Sequence, residues 1–593
     1  MDLITPKDIV NATPLLRIFG GEAVAGLIYR ILKFNKVNEI FVNHHHLDVS
    51  AFIDEAFKVF ESGYEVPPED FSHIPVRGEF MTVSNHAYGG IDGLILLKIV
   101  PAIRPDYKLI VNFLLTRIDT LKPHFLGVNP FEAHKDLKSS FGGLKDAFIH
   151  LHQGHPIGIF PAGEVATYRF KNGYITDKDW QHSILKFIRK ANVAVLPIYF
   201  DGHNSRFFHF LGMIHPVLRT ARLPAEMFNK KKKIIKVRIG RTIPVREQEM
   251  FKDTGEFGKY LRMRTYTLGI PFHPKKRKFS ISFSSPEKII EPVNTELITE
   301  EIAKLGKENL LFSLSGDHVY CTPSSMIPNI MKEVGRLREI TYREVGEGTG
   351  KNIDSDEFDQ TYEQLFLWDE QERRIIGGYR VGKGARLMEN YGMKGFYMNS
   401  LFRIDEKFGQ VLRVSIELGR SFVVKEYQKK ALSLFLLWKG ILYLLLKNPE
   451  YRYLIGPVSI PNTFSELSKS LLVDFLRRNY FNSEFAEFIR PTKAFSSRFD
   501  KVIDMELFHK YTEKNLNRLD SFIQDFELDY KTPIILKKYI SVNAETMGFN
   551  VDPKFNNCLD ALMILDVFEV PFKTIESLSK EINDQSILER FRK

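Results

Sequence analysis

Two places in this 593-residue chain bring together side chains able to move protons around a reactive carbonyl. The first is Val83-Ser84-Asn85-His86-Ala87-Tyr88-Gly89-Gly90-Ile91-Asp92-Gly93, in which a histidine and an aspartate flank a glycine pair. A neutral imidazole can take the proton of an alcohol near pH 7 as the alcohol attacks a thioester. A carboxylate on the other ring nitrogen fixes the tautomer and stabilises the imidazolium as it forms. Gly89 and Gly90 allow a turn tight enough for His86 and Asp92 to meet. A His–Asp pair on its own also reads as a structural hydrogen bond. Two further blocks accompany it in order, Ile159-Phe160-Pro161-Ala162-Gly163-Glu164-Val165 and Val195-Leu196-Pro197-Ile198.

The second place is Ser415-Ile416-Glu417-Leu418-Gly419-Arg420. Amine acylation needs a neutral nitrogen beside the thioester, and a carboxylate, directly or through water, can accept the ammonium proton. Glu417 stands where a strand gives way to a helix, and Arg420 could orient it or hold an acceptor carboxylate. A structural ion pair is the competing reading. Upstream, Arg338-Glu339-Ile340-Thr341-Tyr342-Arg343, then Gly346-Glu347-Gly348-Thr349-Gly350, then Asp354, Asp356 and Asp359 crowd charge and glycine ahead of a hairpin. These acids lack the glycine and terminal glutamate of an EF-hand loop, and no metal site is expected.

The elements that must position these groups read as two α/β units. Amphipathic helices fill the first 60 residues, with Leu15, Leu16, Ile18 and Phe19 followed by Leu27, Ile28, Ile31 and Leu32. Between Arg77 and Arg241 short β-rich runs alternate with helical patterns, at Phe80–Ser84, Lys108–Asn112, Ile157–Pro161, Ala194–Phe200 and Ile234–Ile239. Lys275 to Lys278 and the serines up to Pro286 read as a linker. Beyond it, Glu363–Trp368 and Ile375–Val381 suggest a hairpin, Val411–Leu418 a central strand, Gln428–Lys447 a helix and Tyr453–Ile460 another strand. The expected domains are 1–270, a linker 271–304, and 305–593.

The first set of blocks resembles the motifs of the glycerolipid, or lysophospholipid, acyltransferase family, over residues 60–245. That resemblance implies a layered αβ domain with His86 as general base and Asp92 as its orienting partner. Asn85, Gly93, Pro161, Gly163 and Glu164 would then shape the acceptor site. Five residues rather than four separate His86 from Asp92, and Phe-Pro-Ala-Gly-Glu-Val replaces the Phe-Pro-Glu-Gly-Thr-Arg of phosphate-acceptor enzymes. The arginine suited to phosphate is absent there, and Gly127-Val128-Asn129-Pro130-Phe131 occupies the region of a second block without its arginine. These departures weigh against a glycerol-phosphate acceptor. The blocks instead resemble the hemolysin-like branch, to which ornithine-lipid O-acyltransferases belong.

The later motifs resemble the ornithine-lipid N-acyltransferases, GNAT-like enzymes related to acyl-homoserine-lactone synthases, from residue 305 to the end. They include Gly377-Gly378-Tyr379-Arg380, Glu417-Leu418-Gly419-Arg420, Leu454-Ile455-Gly456-Pro457-Val458-Ser459-Ile460 and Phe549-Asn550-Val551-Asp552-Pro553. The resemblance implies a mixed twisted sheet, with Glu417 catalytic and Arg338, Arg343, Asp356, Asp359, Arg380 and Arg420 shaping the acceptor and acyl-carrier sites. The pyrophosphate loop of acetyl-CoA GNAT enzymes is not evident after Leu418. This fits an acyl-carrier-protein donor (acyl-CoA being the other option) and no bound cofactor.

Taken together the halves resemble bifunctional ornithine-lipid synthases of bacteria. The implied chemistry is N-acylation of an amino acid by 3-hydroxyacyl carrier protein, then O-acylation of the new 3-hydroxyl. The alternatives are a lysophospholipid acyltransferase with a degenerate C-terminal half, and a membrane-binding hemolysin-like protein.

Bulk properties bound these readings. The formal net charge of +10 favours anionic partners such as acyl carrier protein or membrane lipid headgroups. No nucleic-acid recognition motif accompanies the dispersed basic residues. Two cysteines exclude a disulfide framework and suit a reducing cytoplasm. No signal peptide is expected from the N-terminal residues. The most lipid-like run, Ala431 to Leu446 with Lys439 inside it, is shorter than the ~20 residues of a spanning helix and reads as a core helix. The expected location is the inner face of a bacterial cytoplasmic membrane, held peripherally. Lys230 to Lys233 are a candidate contact or a solvated loop before the Ile234 strand, and Phe207, Phe208, Phe210 and Leu211 beside Arg206 form an interfacial stripe or part of the core.

Overall fold

In the computed structural model residues 5–7, 21–128, 137–169, 174–273, 286–314, 316–428 and 431–591 are described. The chain divides into two compact units. Unit 1 comprises Met1–Lys276, Lys501–Tyr511 and Gln524–Leu528, and unit 2 the remainder.

Unit 1 is built on seven strands: β1 (Gly63–Glu65), β2 (Phe80–Ser84), β3 (Lys108–Asn112), β4 (Phe125–Val128), β5 (Ile157–Ile159), and, after a small hairpin of β6 (Thr167–Arg169) and β7 (Tyr174–Thr176), β8 (Ala194–Phe200) and β9 (Ile234–Ile239). Their order is β1-β9-β8-β2-β5-β3-β4, parallel except for the β8–β9 pair. All five residues of β2 are buried, as expected for a central parallel strand covered on both faces. Helix Gly90–Ile99 returns from β2, burying Ile91, Leu94, Ile95, Leu96 and Leu97. A buried pair of Arg264 and Asp525, with Nε to Oδ2 at 2.6 Å, ties the late segment into this unit.

Unit 2 contains β10 (Leu310–Leu314), β11 (Asp317–Pro323), β12 (Glu363–Asp369), β13 (Arg374–Lys383), β14 (Phe402–Ile404), β15 (Ser415–Val423), β16 (Tyr453–Ile460), β17 (Ile489–Pro491), β18 (Glu545–Asp552) and β19 (Cys558–Asp566). Eight of them form one sheet, ordered β10-β11-β12-β13-β15-β16-β19-β18. Every neighbouring pair is antiparallel except β15–β16, which pair in parallel only over Ser415–Glu417 and Tyr453–Ile455. Both units are therefore α/β, the second with a mixed sheet.

Two expectations change. The anticipated strand Val411–Leu418 begins at Ser415, because Gly409–Arg413 forms a short helix that buries Leu412. The linker reading falls partly outside the described residues. Its later part forms helix Thr295–Ala303, whose Glu301 accepts the main-chain N–H groups of Asn329 and Ile330 at 2.8 and 2.9 Å. That carboxylate meets the N-terminus of helix Pro328–Glu344, where backbone donors lack intrahelical partners. Leu15, Leu16, Ile18, Phe19 and Asn129 to Phe131 also lie outside the described residues. Helix Ala431–Lys447 is a core element, with Leu436, Leu437, Ile441, Leu442 and Leu445 buried and Lys439 paired to Glu581.

Candidate functional site

His86 follows the C-terminal end of β2, and Phe160 follows that of β5. Because Val83 is in register with Ile159, the parallel pairing brings the two sequence blocks to one edge of the sheet. The rings of His86 and Phe160 stack with centroids 4.1 Å apart. Ligand chemistry in open parallel sheets gathers at this carboxyl edge. Gly89 has φ +95°, which an L side chain rarely adopts, and caps the helix that carries Asp92 in its first turn. Asp92 Oδ2 accepts the His86 Nδ1–H at 3.0 Å and the main-chain N–H groups of Tyr88 and Gly89 at 2.8 and 3.0 Å. Asp92 is fully buried, and its place at a helix N-terminus with two main-chain N–H donors holds it in a fixed position. The proton is thus assigned to Nδ1, and Nε2 is the ring nitrogen left to act as base.

Groups remote in sequence complete this site. Asp177 accepts the main-chain N–H of His86 at 3.1 Å and the indole N–H of Trp180 at 3.4 Å. Burial pushes its carboxyl up to about 6, against the lowering pull of the His86 amide. Gly163 (φ +69°) leaves room where a Cβ would strike Gln181 Nε2 at 1.9 Å. Glu164 is clasped by Lys178 and by Arg219, the latter at 2.6 Å. Burial raises its carboxyl, but these two cations outweigh it and hold it below the usual range. The two cations near the Phe-Pro-Ala-Gly-Glu block are thus both paired to the protein's own carboxylate.

Other sequence-predicted residues of unit 1 have packing roles. The Asn85 side chain exchanges two hydrogen bonds with the main chain of Phe200, pinning β2 to β8. Gly93 faces Leu109 of β3, and Pro161 accepts the main-chain N–H of Gln181 at 2.9 Å. Lys230 is corrected from lipid contact to interior: it is 2% exposed, 3.7 Å from Glu226 and 4.8 Å from the Tyr88 ring centroid. Within the aromatic stripe Phe207 and Phe210 are exposed, whereas Phe208 is fully buried.

In unit 2 the parallel pairing of β15 and β16 ceases, and a cavity of ≈ 140 Å³ lies between their later residues, lined by Gly419, Arg420 and Ser421 on one side and Gly456 to Ser459 on the other. The cause lies in β15. Its register with β13 shifts between the Gly378–Phe422 and Arg380–Gly419 pairs, placing one extra residue on β15, and Arg420 there has φ +51°. A bulge of this kind re-aims side chains and ends strand pairing.

The predicted ions form a buried network beside this cleft. Arg338 bonds Asp359 and Gln364, both at 2.8 Å. Arg380 bonds Asp356, and Arg420 reaches Asp354 at 3.2 Å and Asp356 at 3.0 Å. Arg380 lies within 5.5 Å of the ring centroids of Phe358, Tyr362 and Tyr397. Only Arg420 of these lines the cleft. Arg343 instead bonds Glu339 at 2.7 Å, and Glu339 holds Thr349 and Gly350 of the glycine-rich loop. Glu417 differs from expectation. It does not line the cleft; its carboxylate accepts the Tyr362 hydroxyl and the main-chain N–H groups of Tyr397 and Met398, the latter two at 3.0 and 2.7 Å. Burial pushes it up to about 7 despite those donors. The carboxylates that do reach the cleft are Glu347, Asp552 and Asp560.

The chain matches the family described as Acyltransferase over residues 9–272 and the Acetyltransferase (GNAT) domain over residues 337–439. It is 30% identical over 281 residues to a glycine Nα-acyltransferase of Phocaeicola vulgatus, covering 46% of this chain and 79% of that protein. It is 25% identical over 253 residues to a lyso-glycine lipid O-acyltransferase of Bacteroides thetaiotaomicron, covering 41% of this chain and 89% of that protein. Among solved structures, a CoA-dependent acyl-homoserine lactone synthase aligns at 12% identity over 46% of this chain and 92% of that one, with a TM-score of 0.23.

Proposed function

The chain belongs to the family of the glycine Nα-acyltransferases and carries an acyltransferase domain beside a GNAT domain, and from this we propose that it builds an acylated amino-acid lipid by two acyl transfers. The observation that carries the reading is the presence in one chain of two different acyl-transfer architectures, a His–Asp pair at a parallel sheet edge and a GNAT cleft where β15 and β16 part. Glycine is the headgroup favoured by the relatives' names; ornithine and lysine are the other members of the class to test.

Unit 2 performs the first transfer. The amine of the amino acid attacks the carbonyl carbon of a 3-hydroxyacyl thioester, the C–S bond breaks, and an amide and a thiol leave. Acyl carrier protein is the donor that suits a chain of net charge +10. Unit 1 performs the second. His86 Nε2 takes the proton of the 3-hydroxyl, the oxygen attacks a second thioester, and the imidazolium returns the proton to the leaving thiolate. Asp92 stabilises the imidazolium in between. The acceptor is a hydroxyl without phosphate, in keeping with Glu164 occupying Arg219 and Lys178.

Among the described residues no helix is long and apolar enough to cross a membrane. The lyso-lipid acceptor calls for a bilayer surface. Phe207, Phe210, Met213 and Ile214, all more than half exposed on helix Arg206–Ile214, are the side chains assigned to it.

Lipid mass spectrometry of a bacterial host carrying the intact chain, set beside an empty-vector host, tests the proposal. A new diacyl amino-acid lipid is expected. Remodelled phospholipid acyl chains with no new aminolipid would overturn it.

A further inference from the structure

The cleft of unit 2 holds a polar row that joins Ser459 and Asn550 of the sequence motifs to Asp560, which lies outside them. Asp560 of β19 is in register with Ser459 of β16 on one side and Asn550 of β18 on the other. Residues directly opposite in an antiparallel pair share a face, so the three side chains run across the sheet toward the gap beside β15. Ser459 Oγ donates to Asp560 Oδ1 at 2.9 Å. Asp560 Oδ2 has no partner, although the residue is only 3% exposed and lines the cleft. Asn550 Nδ2 is likewise buried without a partner. Glu347, from the Gly346-Glu347-Gly348 turn, reaches the same cleft with a buried and unpartnered Oε1. Burying carboxylate oxygens without partners is costly, and a ligand that supplies the missing partner relieves that cost.

We propose that Asp560, assisted by Glu347, is the group in unit 2 that binds the acceptor's ammonium and takes its proton. The ligand class is a small primary amine, the α-amino group of the amino acid; the inference rests on the N-acyl transfer proposed above. A carboxylate oxygen of Asp560 accepts one proton from the ammonium. The freed nitrogen lone pair forms the C–N bond at the thioester carbonyl, and collapse breaks the C–S bond. The second nitrogen proton passes to the departing thiolate, so the products are an amide, a thiol and the proton held by Asp560. Burial pushes both Asp560 and Glu347 up to about 7, the range in which a base retains affinity for a proton near neutrality. The charged and titratable groups around Asp560 are Asp552, Cys558, Glu347, Tyr397 and Arg420. Arg420 is already matched by Asp354 and Asp356.

The experiment measures N-acylation by the full-length chain, with 3-hydroxyacyl carrier protein and glycine, for wild type, Asp560→Asn and Glu347→Gln. O-acylation of a supplied N-monoacyl lipid reports that unit 1 is intact, and acylation of aminooxyacetate reports that unit 2 is folded. Asp560→Asn is expected to lower N-acylation kcat/KM by about 10²–10⁴-fold and to remove the rise of the wild-type rate with pH near 7. Glu347→Gln should shift that rise. Aminooxyacetate, whose nitrogen is already neutral at pH 7, should be acylated by Asp560→Asn at close to the wild-type rate. Wild-type activity with an unchanged pH profile in Asp560→Asn would overturn the base assignment while leaving the N-acyl reading intact. A wild-type chain unable to acylate any of glycine, ornithine and lysine would overturn both.

Discussion

Asp92 engages His86 through a single oxygen: Oδ2 takes the imidazole N–H at 3.0 Å while also holding the amides of Tyr88 and Gly89, and Oδ1 is buried without a partner. The turn therefore orients the carboxylate, and the carboxylate orients the ring. Replacing His86 by Ala is expected to abolish the ester-forming step and leave the N-monoacyl product to accumulate. Asp92→Asn should lower O-acylation by about 10²–10⁴-fold, because the tautomer and the imidazolium lose their support. Product ratios from thin-layer or mass-spectrometric assay measure both effects; full diacyl lipid from either variant would contradict the roles assigned.

The Glu164 clasp bears on acceptor choice. Glu164→Gln removes the carboxylate that pairs with both Lys178 and Arg219, so the variant should bind inorganic phosphate more tightly than the wild type. Isothermal titration reads this directly, and equal heats for the two proteins would show that the clasp does not set acceptor polarity.

Asp177 predicts a pH effect on stability. Its native carboxyl is raised to about 6 from an ordinary 3.8, so its contribution is fully present below 3.8 and is lost as pH rises through 6. The melting temperature of Asp177→Asn relative to wild type should therefore increase between pH 5 and pH 8. A pH-independent difference would refute the buried-charge account.

In unit 2, Arg338 and Asp359 are both buried, 2.8 Å apart. Arg338→Met leaves Asp359 with reduced compensation and should destabilise unit 2 by about 3–5 kcal/mol. Adding Asp359→Asn should recover part of that loss. Urea unfolding followed by the fluorescence of Trp368 and Trp438, both in unit 2, reports it.

Phe207→Ser with Phe210→Ser should reduce co-sedimentation with anionic vesicles while leaving acylation of a detergent-dispersed acceptor unchanged. Undiminished vesicle binding would move the membrane contact elsewhere.

The His86–Asp92 pair was legible because its geometry is local: six positions, two glycines and a helix start. Its support was not, since Asp177 lies 91 residues from His86 and Arg219 lies 55 residues from Glu164. Strands β2, β3, β5, β8 and β9 of unit 1 were readable as short apolar runs, whereas β1 and β4, only three and four residues long, were not. In unit 2 the motif around Glu417 was visible, but a motif does not say which side of a bulged strand meets solvent. The donors of Tyr362, Tyr397 and Met398 draw Glu417 inward. Asp560 carries no signal of its own in sequence; only the register of β16, β18 and β19 gives it neighbours.

The return of residues 501–511 and 524–528 to unit 1 has a consequence for how the molecule is made. On the ribosome, Arg264 waits for Asp525 until more than 260 further residues have emerged. The first unit therefore closes near the end of synthesis, after most of the second has been translated. A gene cut at the basic stretch near residue 276 would separate them only by depriving Arg264 of its 2.6 Å partner, leaving Glu247, at 3.6 Å, to face the guanidinium.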